Sequence, residues 1–129
     1  THREKALAAA EQKAANRLTE AERKAAVKRA AQMLAEKTAH FAKEMGVTYG
    51  RITIREQKTR WGSCSSAGNL NYNWKLVLMP ERVMDYVVIH ELAHRKEMNH
   101  SARFYAVVAQ QMPDYKVWQS WLKEHGREY

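Results

Sequence analysis

Four residues between positions 90 and 100 have the types and spacing of a metal-dependent hydrolytic site. His90 and His94 are four residues apart, so on a helix their imidazoles lie one turn apart on the same face. Two imidazoles at this spacing can bind one tetrahedral cation. Their chemistry favours zinc, with manganese or cobalt as alternatives. Glu91 lies about 100° around the helix from His90, where it can reach a metal-bound water without becoming a ligand itself.

A catalytic metal of this kind needs a third protein ligand and one open position. His100 follows the predicted helix, and a chain that turns back there would bring its imidazole to the metal. The spacing equals that of H-E-x-x-H-x-x-G-x-x-H, but Glu97 occupies the position of the glycine. We expect Asn99, which tolerates left-handed backbone conformations, to make the turn instead. The alternative third ligands are Glu97 and Glu124.

These residues predict hydrolysis by a metal-activated water. Glu91 would accept the proton of the attacking water and return it to the leaving amine, while the metal polarises the attacked carbonyl. A further donor usually stabilises the oxyanion. The sequence offers Tyr105, Tyr115 and Arg103 for this role and does not choose among them.

Length and composition restrict the wider class of protein. The chain has 129 residues and 45% hydrophobic residues, which suits one globular domain over 1–129. Cys64 is the only cysteine, so no intrachain disulfide can form and a reducing compartment is expected. Apolar runs are too short to span a membrane. With no signal-peptide pattern at Thr1, we expect a cytoplasmic fragment or processed product.

Half of the net charge of +8 lies in the middle of the chain, because residues 46–79 contain five Lys or Arg and one Glu. The basic residues are Arg51, Arg55, Lys58, Arg60 and Lys75. A basic segment at 51–75 motivates two alternative functions, a metal-dependent nucleotide phosphoanhydride hydrolase and a non-catalytic, metal-stabilised module that binds nucleic acid or protein. The absence of a glycine-rich phosphate loop argues against the first. Glu91 argues against the second, because a structural metal needs no general base.

The hydrophobic pattern predicts a long helix before the site. Residues 1–18 are rich in alanine and should form a weakly packed helix. Thr19 and Glu22 have the spacing of a capping box, and Gly46 is suited to the C-cap. The residues predicted to face the core are Ala26, Ala30, Met33, Leu34, Phe41 and Met45.

The period then changes to two, which predicts strands. The stretch RITIRE is one strand, and RWGSCSSAGN is an irregular edge strand with a turn. NLNYNWKLVLM predicts a longer strand with one apolar face. That face comprises Leu70, Tyr72, Trp74, Leu76 and Leu78.

Three helices are predicted after the strands. Pro80 ends the strand and suits the first turn of a helix, and this helix runs from about Glu81 through the histidines to Met98. Ser101 is the predicted N-cap of the second, which Pro113 ends. Asp114 is the predicted cap of the last helix, YKVWQSWLKEH. The two C-terminal helices therefore follow the active-site helix.

Together these segments resemble the YgjP-like metallopeptidase domain family, a relative of the SprT and WLM groups of small zincins. The resemblance covers residues 48–125 and rests on the blocks IREQKTRWGSCSSAGNLNYNW, MP, DYVVIHELAH, NHSARFY and PDY. It implies an α+β, zincin-like fold with a small antiparallel sheet over the active-site helix. It also implies that His90, His94 and His100 bind Zn²⁺, that Glu91 is the catalytic base, and that the substrate is a peptide or protein.

The resemblance also suggests a role for the segment around RWGSC. In zincins an edge strand above the metal pairs with the extended substrate, and the stretch at 59–65 would be this rim. Arg60 and Trp61 are therefore predicted to contact substrate or the oxyanion. Alternatively, Trp61 fills the core and Gly62 and Ser63 form a bulge. SprT-type relatives act on DNA-bound proteins, which would also fit a basic segment near the site.

Overall fold

The computed structural model describes residues 2–7 and 18–129. After a helical, exposed segment at 2–7, the described elements follow in chain order. They are α1 (Glu20–Met45), β1 (Ile52–Arg55), β2 (Gly62–Cys64), β3 (Leu70–Asn73), a 3₁₀ helix (Trp74–Leu78), α2 (Glu81–Ala93), α3 (Ala102–Gln111), α4 (Tyr115–His125) and a 3₁₀ turn (Gly126–Glu128). This is the predicted α+β arrangement. The rest of the N-terminal helix predicted at 1–18 lies outside the described residues.

The caps of α1 are those that its sequence predicts. The Thr19 hydroxyl accepts a hydrogen bond from the Glu22 amide at 3.1 Å, and the Glu22 carboxylate accepts one from the Thr19 amide at 3.3 Å. At the other end Gly46 has φ 69°, a left-handed conformation that costs glycine little. The face of α1 in the core consists of Ala26, Ala30, Leu34, Thr38, Ala42 and Met45. Met33 and Phe41, which were also predicted there, are partly buried against the core.

The sheet is mixed, so the prediction of an antiparallel sheet was wrong. Its strand order is β1-β3-β2. β1 pairs with β3 in parallel, with Ile52 opposite Leu70, whereas β2 pairs with β3 antiparallel, with Gly62 opposite Tyr72. The physical reason lies in burial. β3 is the most buried strand, so it takes the centre, and β1 lies across it from β2 instead of pairing with its neighbour in sequence.

The long strand predicted after residue 70 was also wrong beyond Asn73. The Asn73 side chain accepts a hydrogen bond from the Lys75 amide at 3.0 Å, which starts a 3₁₀ helix and ends the ladder. Trp74 and Leu76 are buried all the same, because the 3₁₀ helix packs on α1. The alternating apolar pattern therefore predicted the burial of these residues correctly but predicted the wrong backbone conformation.

The core brings α1, the sheet and α2 together. Tyr72 on β3 and Thr38 on α1 share a buried hydrogen bond of 2.9 Å between their hydroxyls. Burial raises the pKa of Tyr72, and the bond to Thr38 only partly opposes this. On the other side of α1, the Lys37 ammonium lies 2.6 Å from Asp85 Oδ1 and 2.7 Å from Glu81 Oε1 of α2. The hydrogen bond holds β3 against α1, and the two ion pairs of Lys37 hold α2 against α1.

The C-terminal helices begin near the predicted caps. The Ser101 hydroxyl accepts a hydrogen bond from the Phe104 amide at 3.3 Å, as predicted. Asp114 makes no side-chain cap bond to α4. Its carboxylate accepts hydrogen bonds from Arg82 at 3.1 Å and from the Trp118 indole at 3.1 Å, which ties α4 to α2. Within the described ranges, no helix has both the length and the apolar character needed to cross a membrane.

Candidate metal centre and active site

Helix α2 ends one residue before the second histidine of the motif. The predicted end at Met98 was therefore wrong, because Ala93 is the last residue of α2 and His94 is its C-cap. His94 keeps a right-handed conformation, with φ −64° and ψ −15°. Its imidazole therefore stays on the same face as His90, with 5.3 Å between the ring centroids.

The chain turns back after α2 and brings His100 to the other two imidazoles. Its ring centroid lies 5.1 Å from that of His90 and 4.8 Å from that of His94. Asn99 does not make this turn with a left-handed backbone, as was predicted, since every non-glycine residue in the described ranges has a negative φ. A tight turn that joins the Ser101 amide to the Asn99 carbonyl at 2.8 Å does so instead. Arg95 anchors the loop by donating to the Thr48 carbonyl at 2.8 Å.

The three histidines form a group suited to a metal ion. Their ligand nitrogens all lie within 4.8 Å of one another. Nitrogens bound to a tetrahedral zinc would be about 3.3 Å apart, a spacing that small side-chain rotations could reach. Among the described residues, this group of three contains neither Glu97 nor Glu124.

Hydrogen bonds set the orientation of two of these imidazoles. His94 Nδ1 lies 3.2 Å from the Glu97 carbonyl oxygen. A carbonyl can only accept, so Nδ1 carries the proton and Nε2 is left free for a metal. His90 Nδ1 lies 3.2 Å from the Glu91 carboxylate, which is also an acceptor when ionised. Glu97 thus supports the site through its backbone, while its carboxylate is outside the group.

Phe104 packs against all three histidines, and the sequence reasoning did not single it out. It is fully buried on α3. Its ring stacks on His94 with 4.5 Å between centroids and meets the rings of His90 and His100 edge-on at 4.9 and 5.0 Å. The Ser101 cap places it, because the capped amide belongs to Phe104. The signal in the sequence was its position four residues after His100, within the block NHSARF.

Strand β2 passes directly over Glu91. A Cβ added at Gly62 would lie 3.0 Å from Val87 Cγ1 and 3.1 Å from Glu91 Oε2. Glu91 is 6% exposed, so its carboxylate is enclosed between α2 and the edge of the sheet. Glycine at position 62 permits this close approach.

These residues surround a cavity of about 480 Å³. Its lining consists of Thr59, Arg60, Trp61, Gly62, Ser63, Cys64, Tyr86, Val87, His90, Glu91, His94, His100 and Leu122. Arg60 and Trp61 therefore lie beside the histidines, as the sequence predicted. Tyr105 and Tyr115 are absent from the lining and stack on each other with ring centroids 5.8 Å apart. The tyrosine in the cavity wall is Tyr86, which the sequence reasoning missed.

The titratable groups of the cavity differ in their proton affinities. Partial burial lowers the pKa of His100, and the neighbouring His90 and His94 lower it further. Burial raises the pKa of the Cys64 thiol, and the Glu91 carboxylate raises it too. Cys64 donates to the Ser65 carbonyl at 3.4 Å. A protonated, hydrogen-bonded thiol is a poor nucleophile.

Comparisons with known proteins agree with this geometry. The metallopeptidase zymogen abylysin of Pyrococcus abyssi is 24% identical with a TM-score of 0.64, covering 73% of this chain and 96% of that chain. The metallopeptidase zymogen jannalysin of Methanocaldococcus jannaschii is 19% identical with a TM-score of 0.54, covering 65% of this chain and 90% of that chain. The likeness shows that the fold is the one found in these metallopeptidases. No curated protein matches the chain.

The family model that matches the sequence is the YgjP-like metallopeptidase domain, and the match spans residues 1–125. It therefore starts well before residue 48, where the resemblance in the sequence was expected to begin. The aligned region includes α1 as well as the sheet and the histidine-bearing elements. The chain belongs to the YgjP-like metallopeptidase domain family.

Proposed function

We propose that this domain is a zinc-dependent peptidase in which His90, His94 and His100 hold the ion and Glu91 is the general base. The single observation that carries the proposal is the convergence of three imidazole nitrogens within 4.8 Å beside an enclosed carboxylate. Imidazole ligands favour zinc among biological cations. When bound, zinc would supply Lewis-acid polarisation of the substrate and a lowered pKa of water.

The residues of the chain would divide the remaining work. Glu91 accepts the proton of the attacking water and passes it to the leaving amine. The hydrogen bonds and ring contacts that orient His90 and His94 stabilise the ligand set. Arg60 and Trp61 in the cavity wall contact the substrate.

Strand β2 is suited to hold the substrate backbone in extended form. It is at the edge of the sheet, since β3 pairs with one side of it only. Gly62, Ser63 and Cys64 all line the cavity. A peptide added to this edge would pass over Glu91 and the histidines, with main-chain hydrogen bonds to β2.

The basic segment gives little support to a nucleotide substrate. Arg55 donates to the Asn71 side chain at 2.9 Å, and Lys75 donates to the Tyr129 carbonyl at 2.8 Å. Of the basic residues at 51–75, Arg60 is the one that lines the cavity. Nucleic-acid binding by this segment stays a prediction, which salt-dependent binding to DNA would test. The cytoplasmic location stays a prediction from the single cysteine, Cys64.

The test compares zinc-loaded protein with its Glu91→Gln variant on a mixed peptide library, with cleavage read by mass spectrometry. We expect cleavage by the parent alone, because glutamine keeps the shape of Glu91 but cannot accept a proton. Bound zinc is measured in both samples, and both should contain it. If both contain zinc and neither cleaves, peptides are not the substrate. If both cleave equally, Glu91 is not the base.

A further inference from the structure

The cavity contains several side chains that could donate a hydrogen bond to a reacting carbonyl. Most of these side chains have other partners or neighbours, or lie at the exposed rim of the cavity. The Ser63 side chain lies on the opposite face of β2 from Gly62, beside Asn71 at 3.2 Å, and so faces away from Glu91. The Cys64 thiol donates to the Ser65 carbonyl at 3.4 Å. The Trp61 indole nitrogen packs against Gly126, where an added Cβ would lie only 3.1 Å from it. These three groups therefore have other partners or neighbours.

The two remaining lining residues on this side of the cavity are exposed. Thr59 and Arg60 both lie in the loop before β2 and are open to solvent. A donor in water gives little selective stabilisation to developing charge, because water itself competes for the same oxygen. A stronger donor would be buried in the wall of the cavity.

Tyr86 meets this requirement. It is one helical turn before His90 on α2, so both side chains share a face of the helix. It is 5% exposed, lines the cavity, and has its ring centroid 5.7 Å from that of His90. None of the hydrogen bonds described above for the metal ligands uses its hydroxyl.

A partner on α4 orients the Tyr86 hydroxyl. This hydroxyl makes a hydrogen bond with the side chain of Gln119. When the amide N–H of Gln119 donates this bond to the phenol oxygen, the phenol proton remains available to another acceptor.

We propose that the Tyr86 hydroxyl donates a hydrogen bond to the substrate carbonyl oxygen as this oxygen gains negative charge. The proposal rests on the peptidase function above and makes Tyr86 a catalytic residue. Gln119 is a positioning residue, because it acts through Tyr86. This is the role that the sequence offered to Tyr105 and Tyr115, neither of which lines the cavity.

The kinetic test uses Tyr86→Phe, which removes one oxygen and keeps the ring against His90. The matched controls are Tyr49→Phe, a partly buried tyrosine outside the cavity lining, and Tyr105→Phe, one of the two tyrosines that the sequence offered for this role. With a peptide that the parent cleaves and the Glu91→Gln variant does not, Tyr86→Phe should lower kcat about 10²- to 10³-fold. KM should change little, and zinc content should stay the same. Unchanged kcat in Tyr86→Phe, or a loss in Tyr105→Phe alone, overturns the proposal.

A binding measurement separates this proposal from the peptidase function itself. A phosphinic peptide carries a tetrahedral anionic group, and its affinity for zinc-loaded protein can be measured by calorimetry without turnover. Tyr86→Phe should weaken this affinity by about the same factor as kcat, since both report on the charged oxygen. The unmodified peptide should bind the Glu91→Gln variant equally well with or without Tyr86→Phe. Equal weakening of both ligands would make Tyr86 an ordinary substrate contact and overturn the proposal.

Failure of the two hypotheses has different signatures. If the parent binds zinc but cleaves no peptide, the peptidase function fails whatever the result for Tyr86. If Tyr86→Phe does not fold, as judged by its thermal transition, Gln119→Leu decides instead. A lower kcat with unchanged KM in Gln119→Leu supports the donor role, and an unchanged kcat overturns it.

Discussion

At the scale of single residues, the site depends on how the imidazoles are held as much as on their identity. His94 is fixed from two sides, by the Glu97 carbonyl at one ring nitrogen and by the face of Phe104. His100 is the most exposed of the three proposed ligands and comes from a loop. The end of α2 would thus supply a rigid pair of ligands, and the loop would supply the third.

Replacement of His100 by alanine should therefore weaken zinc binding strongly. Two histidines would remain, and a zinc site normally uses at least three protein ligands. The affinity can be measured by competition with a chromophoric chelator. His40→Ala is the matched control, because His40 is exposed on α1, where its ring lies beside Phe41 and Glu44. If the His100→Ala variant and the parent bind zinc with equal affinity, His100 is not the third ligand, and Glu97 or Glu124 would take that role.

Replacement of Phe104 by leucine should lower zinc affinity while all three ligands remain. The flat surface that orients the imidazole rings would be lost, and changes in such supporting groups typically cost about 10- to 100-fold in metal affinity. The control is Phe41→Leu on α1, which is partly buried away from the histidines. Both variants should lose some stability on thermal unfolding. If their zinc affinities fall equally, the contact of Phe104 with the imidazoles has no specific role.

At the scale of elements, the catalytic arrangement depends on the close approach of β2 to α2. The Asn73 side chain holds the loop before β2 by donating to the Gln57 carbonyl at 2.8 Å. The Asn73 backbone amide donates to the Trp61 carbonyl at 2.9 Å. Asn73 is 3% exposed. This one buried residue thus ends β3, starts the 3₁₀ helix and positions the rim of the cavity.

Gly62→Ala tests this approach. The new methyl group would lie 3.0 Å from Val87 Cγ1 and 3.1 Å from Glu91, so β2 or the Glu91 side chain must shift. Such overpacking typically costs about 1–3 kcal/mol of stability, and a displaced base lowers kcat. Chemical denaturation and peptide cleavage would measure the two effects. Ser66→Ala, at an exposed position outside the cavity lining, is the control and should keep nearly full activity.

At the scale of the whole molecule, α1 is the scaffold on which the sheet and α2 are assembled. Lys37 joins it to Asp85 and Glu81, and Arg82 completes the pairing of Asp85 at 3.3 Å. Burial by itself would lower the pKa of Lys37, but hydrogen bonds and charges from Asp85 and Glu81 outweigh burial and raise it. Charged Lys37 is therefore more stable in the folded protein than in the unfolded chain.

The stability that Lys37 provides should disappear in alkali. Its folded-state pKa is raised above the ordinary 10.5, so the contribution is complete below that pH and is lost as the pH rises through the folded-state value. Lys37→Met should reduce the free energy of unfolding by about 1–3 kcal/mol at neutral pH, because Asp85 loses one of its partners. Denaturant unfolding at several pH values would show the two proteins converging above about pH 10.5. Lys28→Met, at an exposed position of α1, is the control and should change neither the free energy of unfolding nor its dependence on pH. A constant difference in stability between the parent and Lys37→Met at all pH values would contradict this account.

Much of the fold follows from local chemistry. The capping box at Thr19, the left-handed Gly46 and the cap at Ser101 were all predicted, because each depends on groups within four residues of one another. The parallel pairing of β1 with β3 and the 3₁₀ helix at Trp74–Leu78 were not predicted. Both result from competition between distant segments for the same core, which no local pattern reports.

The site divides in the same way. By itself, the sequence determined the four residues with metal-site chemistry, since the spacing of His90, Glu91 and His94 is set by a single helix. Only the tertiary structure decided that His100 completes the group, that Phe104 lies beneath it, and that Tyr86 is the tyrosine in the cavity wall. The physical reason is that helix geometry acts over a few residues, whereas these contacts depend on how the loop after α2 and helices α3 and α4 pack against it.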